Sequence, residues 1–218
     1  MLYAWLPLLV SFSLVPQQQS SEEQNTVTIL VVGDSLSAGY GLSPKQAWPA
    51  LVEEKLKREG WNVRVQNAGV SGDTTSGGLR RISWVLQDCP DILILELGAN
   101  DALRGIPLDA TRTNLREMIS RARKTCPDVK IVLAGMLVPP NLGPDYTREF
   151  REIFPDLARA EKVDLIPFLL ERVAGRPEFN LPDGIHPNAR GHEIVADTVL
   201  KHLRPLLAGR STSAEADR

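Results

Sequence analysis

One serine, one histidine and one aspartate stand where they could move a proton and attack a carbonyl. Ser35 lies in Gly33-Asp34-Ser35-Leu36-Ser37, directly after an apolar run. A serine hydroxyl becomes a nucleophile when a base takes its proton, and neutral histidine suits that task near pH 7. The chain offers three histidines, His186, His192 and His202. His192 and His202 fall inside the last expected helix, where packing or solvent-facing roles are the default. His186 stands in Leu181-Pro182-Asp183-Gly184-Ile185-His186-Pro187, just before that helix. Asp183 is three residues upstream, and a tight turn would fold its carboxylate onto the imidazole and fix the tautomer. On chemistry alone, a structural use of this Asp and His is equally open.

Other chemistries fit less well. Ser35 is not in a G-x-S-x-G elbow, because residue 37 is serine. There is no G-x-x-x-x-G-K-[ST] phosphate loop, and no G-x-G-x-x-G follows the first strand. Asp34, Asp73 and Asp101 could gather around a divalent metal, but each adjoins a hydroxyl or amide that acyl chemistry would use. No cofactor and no metal are expected.

The elements that would position these residues alternate between strand and helix. Val27 to Val32 is a β-branched run of the kind found in buried parallel strands. Further strands are expected at Asn62–Gln66, Ile92–Leu97, Val129–Ala134 and Asp164–Ile166. The first long helix is expected to open at the capping box Ser43-Pro44-Lys45-Gln46, to bury Trp48, Leu51, Val52 and Leu56, and to stop at Gly60. Helices follow at about Thr74–Gln87, Asp109–Lys124 and Tyr146–Lys162, the last with a bend at Pro155, and a final one begins near Asn188. This is the pattern of a doubly wound α/β domain, a three-layer α/β/α sandwich on five mostly parallel strands in the order 2-1-3-4-5. In such a sheet ligands bind beyond the carboxyl ends of the strands. Strands 2, 1 and 3 are then neighbours, and three polar turns meet there: Gly33–Ser37, Asn67–Asp73 and Gly98–Asp101. The loop Val138–Pro144 lies on the same edge.

The chain has 218 residues, of which 43% are hydrophobic and 24% charged, with a net charge of −2. That suits one globular domain, spanning 26–208, and argues against nucleic acid as a partner. Residues 1–25 begin with an apolar run as long as a signal-peptide core and short for a membrane span, followed by a polar linker. No Lys or Arg precedes the run, so export to the periplasm or outside is expected through an atypical signal peptide, with an uncleaved anchor as the alternative. Residues 209–218 read as a loose polar tail. Cys89 and Cys126 each sit in Cys-Pro-Asp ahead of an apolar run. Two free thiols at loop ends are the leading reading; a disulfide between equivalent ends of neighbouring strands is the other, and it would need an oxidising compartment.

Four blocks in order resemble the SGNH/GDSL hydrolases: Gly33-Asp34-Ser35-Leu36-Ser37, Gly72 within Gly69–Thr75, Gly98-Ala99-Asn100-Asp101, and Asp183-Gly184-Ile185-His186-Pro187. The resemblance spans about Thr26 to Leu207 and is strongest toward the thioesterase, lysophospholipase and arylesterase branch, through Gly33–Tyr40, Ala47–Leu51 and Glu96–Gly105. It implies a flavodoxin-like fold and a serine esterase that cleaves carboxylic esters or thioesters through an acyl-enzyme. It further implies Ser35 as nucleophile, His186 as base, Asp183 as its orienting partner, and an oxyanion hole made by the Ser35 and Gly72 backbone N–H groups and the Asn100 amide. The expected partner is a small acyl ester or thioester, acted on by a monomer that keeps no membrane span after processing. A carbohydrate O-acetylesterase of the same superfamily is the second reading; aromatics make up only 6% of the chain, and few besides Tyr40 fall in these loops. A non-catalytic binding domain on the same fold is the third.

Overall fold

The computed structural model of the chain describes residues 26–139 and 142–216, with side chains up to Ala208. Five strands form one sheet: β1 (Val27–Gly33), β2 (Val63–Asn67), β3 (Ile92–Glu96), β4 (Lys130–Ala134) and β5 (Asp164–Ile166). Their order is 2-1-3-4-5, and all four pairings are parallel. Central strands covered on both faces need apolar side chains at every position. Accordingly Ile29 to Val32, Ile92 to Leu95 and Ile131 to Ala134 are all buried.

Among the described residues seven α-helices follow the expected alternation, two of them short ones that the hydrophobic pattern does not announce. They are α1 (Ser35–Ala38), α2 (Trp48–Arg58), α3 (Thr75–Val85), α4 (Ala99–Leu103), α5 (Leu108–Thr125), α6 (Pro144–Glu161) and α7 (Ala189–Ala216). α2 packs against α7, whereas α3 packs on α5 and α5 on α6. Right-handed crossovers put the first pair on one face of the sheet and the trio on the other, giving three layers. The capping box at Ser43 is present, but it opens a separate 3₁₀ turn at Pro44–Gln46, and α2 starts afresh at Trp48. Two prolines explain the break. Pro44 and Pro49 each lack the amide hydrogen a continuous helix would need, so each suits only a first turn. α2 ends as expected near Gly60, where the N–H groups of Gly60 and Trp61 bond the carbonyls of Lys57 and Leu56. Pro155 is accommodated inside α6.

The helical backbone of α7 continues to Ala216. It therefore runs into 209–218, which the sequence reading gives as a loose tail. Extending a formed helix avoids the cost of nucleating one, so polar residues can prolong it. Residues 1–25, read as a signal peptide or anchor with a linker, lie outside the described residues. Among the described residues no helix is long and apolar enough to cross a membrane.

At the amino ends of β3 and β4, Cys89 and Cys126 are joined in a disulfide with their Cα atoms 5.4 Å apart. This corrects the leading expectation of free thiols. Parallel pairing sets Ile92 beside Lys130, so the cysteines a few residues ahead of each come within bonding reach.

Candidate active site

β1 ends at Gly33 and the chain turns at once into α1. Asp34 caps that helix, its Oδ1 accepting the Leu36 N–H at 2.9 Å, and Ser35 is the first helical residue. The opposite wall comes from the segment ahead of α7. There an antiparallel bridge pairs Asn180 with Pro187, and the Leu181 N–H bonds the His186 carbonyl at 2.7 Å. Buried Asn180 ties the base of this loop to the carbonyls of Val173 and Arg176, both at 2.8 Å. One helical turn into α7, His192 accepts the backbone N–H of Trp48 at 3.1 Å. That bond satisfies an orphan donor at the start of α2 and fixes α7 against it. The loop bearing His186 is thereby held at the carboxyl edge of the sheet.

Across this gap the Ser35 Oγ lies 2.9 Å from His186 Nε2. On the far side of the ring, Nδ1 is 2.8 Å from Asp183 Oδ2. The other carboxylate oxygen, Oδ1, accepts the N–H groups of Ile185 and His186, both at 2.9 Å. These backbone bonds, the one from His186 foremost, hold the Asp183 carboxyl down at about 2. Asp183 is thus ionised at neutral pH. It accepts a hydrogen bond from the Nδ1–H and leaves Nε2 with its lone pair toward the serine hydroxyl.

Beneath the turn lies Glu96, the last residue of β3 and wholly buried. Its Oε2 accepts the Asp34 N–H at 3.1 Å and the Ser37 hydroxyl at 2.5 Å. Burial first, and then the charge of Asp34, push its carboxyl well above the usual carboxylate range. Burial also raises Asp34 to about 6, against the opposing pull of its bonds to Leu36 and Asn100. Gly33 makes this arrangement possible: a Cβ there would sit 2.3 Å from Ser37 Oγ and 2.4 Å from Glu96 Oε2.

The turns after β2 and β3 are fastened to the first. The Asn100 amide donates to Asp34 Oδ2 at 2.9 Å. The Val70 N–H and Arg81 Nη2 both reach the Gly33 carbonyl at 3.0 Å. Arg81 also pairs with Asp73 at 2.8 Å, and Arg104 donates to the Gly72 carbonyl at 2.7 Å. Gly72 adopts φ +78°, a conformation glycine takes without steric cost. Buried Asp101 accepts the Thr75 N–H at 2.8 Å, the Thr75 hydroxyl, and the Thr111 hydroxyl at 3.3 Å. The structure therefore brings Ser35, His186 and Asp183 into one hydrogen-bonded chain and sets the Asn100 amide on the neighbour of Ser35. Asp34, Asp73 and Asp101, weighed as metal ligands, each face partners of their own: Asn100, Arg81 and Thr75.

Sequence reasoning passed over Glu96, Arg81 and the stacking position of Tyr40. Glu96 left a signal, since a charged residue closing the run Ile-Leu-Ile-Leu is anomalous in a buried strand. Arg81 left none, because its three partners, Asp73 and the carbonyls of Ala68 and Gly33, come from two separate turns.

A hydroxyl, an imidazole and a carboxylate chained at the carboxyl edge of a doubly wound parallel sheet define a serine hydrolase of the SGNH type. The sequence pattern of the GDSL-like Lipase/Acylhydrolase family matches residues 31–194. The chain is 41% identical to an arylesterase of Vibrio mimicus, over 91% of this chain and 98% of that protein. It is 39% identical to the Thioesterase 1/protease 1/lysophospholipase L1 of Escherichia coli K12, over 83% and 85%. The crystal structure of TesA superposes with a TM-score of 0.78 at 41% identity, covering 82% of this chain and 99% of that one. The chain belongs to the GDSL-like lipase/acylhydrolase family and is a serine hydrolase of ester bonds.

Proposed function

We propose that Ser35 is the nucleophile of this esterase, His186 its general base and Asp183 the group that orients the base. The observation that carries this reading is the unbroken chain of 2.9 Å and 2.8 Å contacts from hydroxyl to imidazole to carboxylate. Ser35 Oγ attacks the acyl carbonyl while His186 Nε2 takes its proton, and the carbonyl π electrons move onto oxygen. The backbone N–H groups of Ser35 and Gly72 and the second amide hydrogen of Asn100 receive that oxyanion. Collapse expels the alcohol or thiol, which leaves with the proton from His186, and the acyl-enzyme remains. Water, deprotonated by the same ring, then releases the acid.

The substrate is an acyl ester or thioester of the aryl-ester, acyl-thioester or lysophospholipid kind. The names of the relatives support this class. So do the apolar side chains exposed on the loops and the short helix α4 of this edge: Val70, Leu103, Leu137, Leu142 and Ile185. Site openings that take acyl groups are apolar with a few fixed polar groups. The protein acts in an exported, oxidising setting, supported by the apolar run in 1–25 and by the Cys89–Cys126 disulfide.

A fluorophosphonate probe tests the assignment. Wild type should be labelled and lose turnover of a p-nitrophenyl ester. Ser35→Ala should show neither labelling nor turnover, with unchanged circular dichroism. Labelling that persists in Ser35→Ala would remove Ser35 from the mechanism.

A further inference from the structure

We propose that Tyr40 is a positioning residue for the base: its ring stacks on His186, holds the imidazole toward Ser35 and favours the positively charged ring formed when the hydroxyl proton is taken. This rests on the reading of His186 as general base.

The two ring centroids are 4.4 Å apart with the planes 35° from parallel. The contact is prepared by the backbone of the nucleophile's own helix. Gly39 ends α1 in the left-handed region at φ +75°, and the N–H groups of Gly39 and Tyr40 both bond the Ser35 carbonyl at 3.1 Å. The turn closes with the Leu42 N–H on the Gly39 carbonyl at 3.0 Å. A Cβ at Gly39 would meet that of Ala47 at 2.7 Å, so the turn is pressed against the segment leading into α2. Tyr40 is thus tethered to the residue that bears the nucleophile while its ring covers the base.

The ring has no competing duty in the core, since Tyr40 is 51% exposed. Its hydroxyl makes no hydrogen bond among the described residues, which leaves the π face as the functional part. The ionisable groups that face His186 are Asp183 in its own loop, Asp34 at the end of β1 and His192 on α7. Asp183 engages the Nδ1 edge and Ser35 the Nε2 edge, so neither covers the face of the ring. An aromatic face there attracts a cation electrostatically and blocks rotation of the imidazole away from the serine.

The pH profile of kcat/KM for a p-nitrophenyl ester tests this in wild type, Tyr40→Phe and Tyr40→Leu, with His186→Ala alongside. Tyr40→Leu should lower the plateau about 2–5-fold and move the acid limb to lower pH by about half a unit. Tyr40→Phe should match wild type in both respects. An acid limb that stays in place in Tyr40→Leu, or a Phe variant that behaves like the Leu variant, would overturn the proposal. The two readings fail separately: turnover retained by His186→Ala refutes the base itself, whereas an inactive His186→Ala with an unmoved limb in Tyr40→Leu refutes Tyr40 alone.

Discussion

The side-chain amide of Asn100 donates to Asp34 Oδ2 at 2.9 Å, so the residue beside Ser35 in the chain fixes an amide supplied by the turn after β3. A carboxylate only accepts, and an amide so held keeps its nitrogen end at this spot and has one hydrogen left to give. Asn100→Ala should therefore lower kcat by roughly 10²–10³, with a smaller effect on KM. Asp34→Ala should act in the same direction and more weakly, because the amide remains but is free to rotate. Steady-state kinetics on a p-nitrophenyl ester checks both; a change confined to KM would make Asn100 a ground-state binder.

Glu96 holds the Asp34 N–H and the Ser37 hydroxyl from below. Glu96→Ala should leave both donors buried without a partner, at about 1–3 kcal/mol each, and lower activity with stability. Because burial disfavours its charged form, Glu96→Gln resembles the carboxyl it replaces and should cost far less. Chemical denaturation of both variants at neutral pH gives the comparison, and equal losses would contradict it.

The Cys89–Cys126 bond closes a loop of 37 residues at the end of the sheet away from the site. On chain-entropy grounds it stabilises the fold by about 3–4 kcal/mol. Reduction, or the double change Cys89→Ser and Cys126→Ser, should lower the denaturation midpoint while kcat stays the same. A parallel fall in kcat below the unfolding range would mean that strain reaches the catalytic edge.

Burial, and then the neighbouring His186, push His192 down to about 4, while an unfolded histidine titrates near 6.5. Between those values the unfolded chain binds the extra proton, so stability rises with pH there. The contribution is complete above about pH 6.5 and is lost as pH falls toward 4, amounting to about 3 kcal/mol. His192→Asn keeps an acceptor for the Trp48 N–H and removes the titration. Its Tm should fall less than that of wild type between pH 7 and 5, as thermal melts would record.

The sheet was legible because β1 and β3 are apolar at nearly every position, which only strands covered on both faces require. Strand order and the edge that binds ligands follow from connection rules once five strands are counted. The pairing of Asp183 with His186 was legible because it is local, a three-residue turn. The short helices α1 and α4 were not, since four or five residues give no period to read and their formation depends on Asp34 and Gly98 at strand ends. The capping box at Ser43 is legible in type but not in extent, because Pro49 restarts the helix one turn on. The struts under the site, Glu96 and Arg81, depend on contacts between distant turns, and no local pattern carries them. The cysteines stayed undecided because sequence offers spacing but not the strand register that brings them together.

The hydroxyl and the imidazole meet at 2.9 Å across 151 positions of the chain. Ser35 therefore leaves the ribosome long before His186 is synthesised, and the two side chains cannot meet until the segment leading into the last helix is made. A chain cut short before residue 186 keeps all five strands and Ser35 but lacks the imidazole that the hydroxyl meets, so a truncated product would carry the serine without its proposed base.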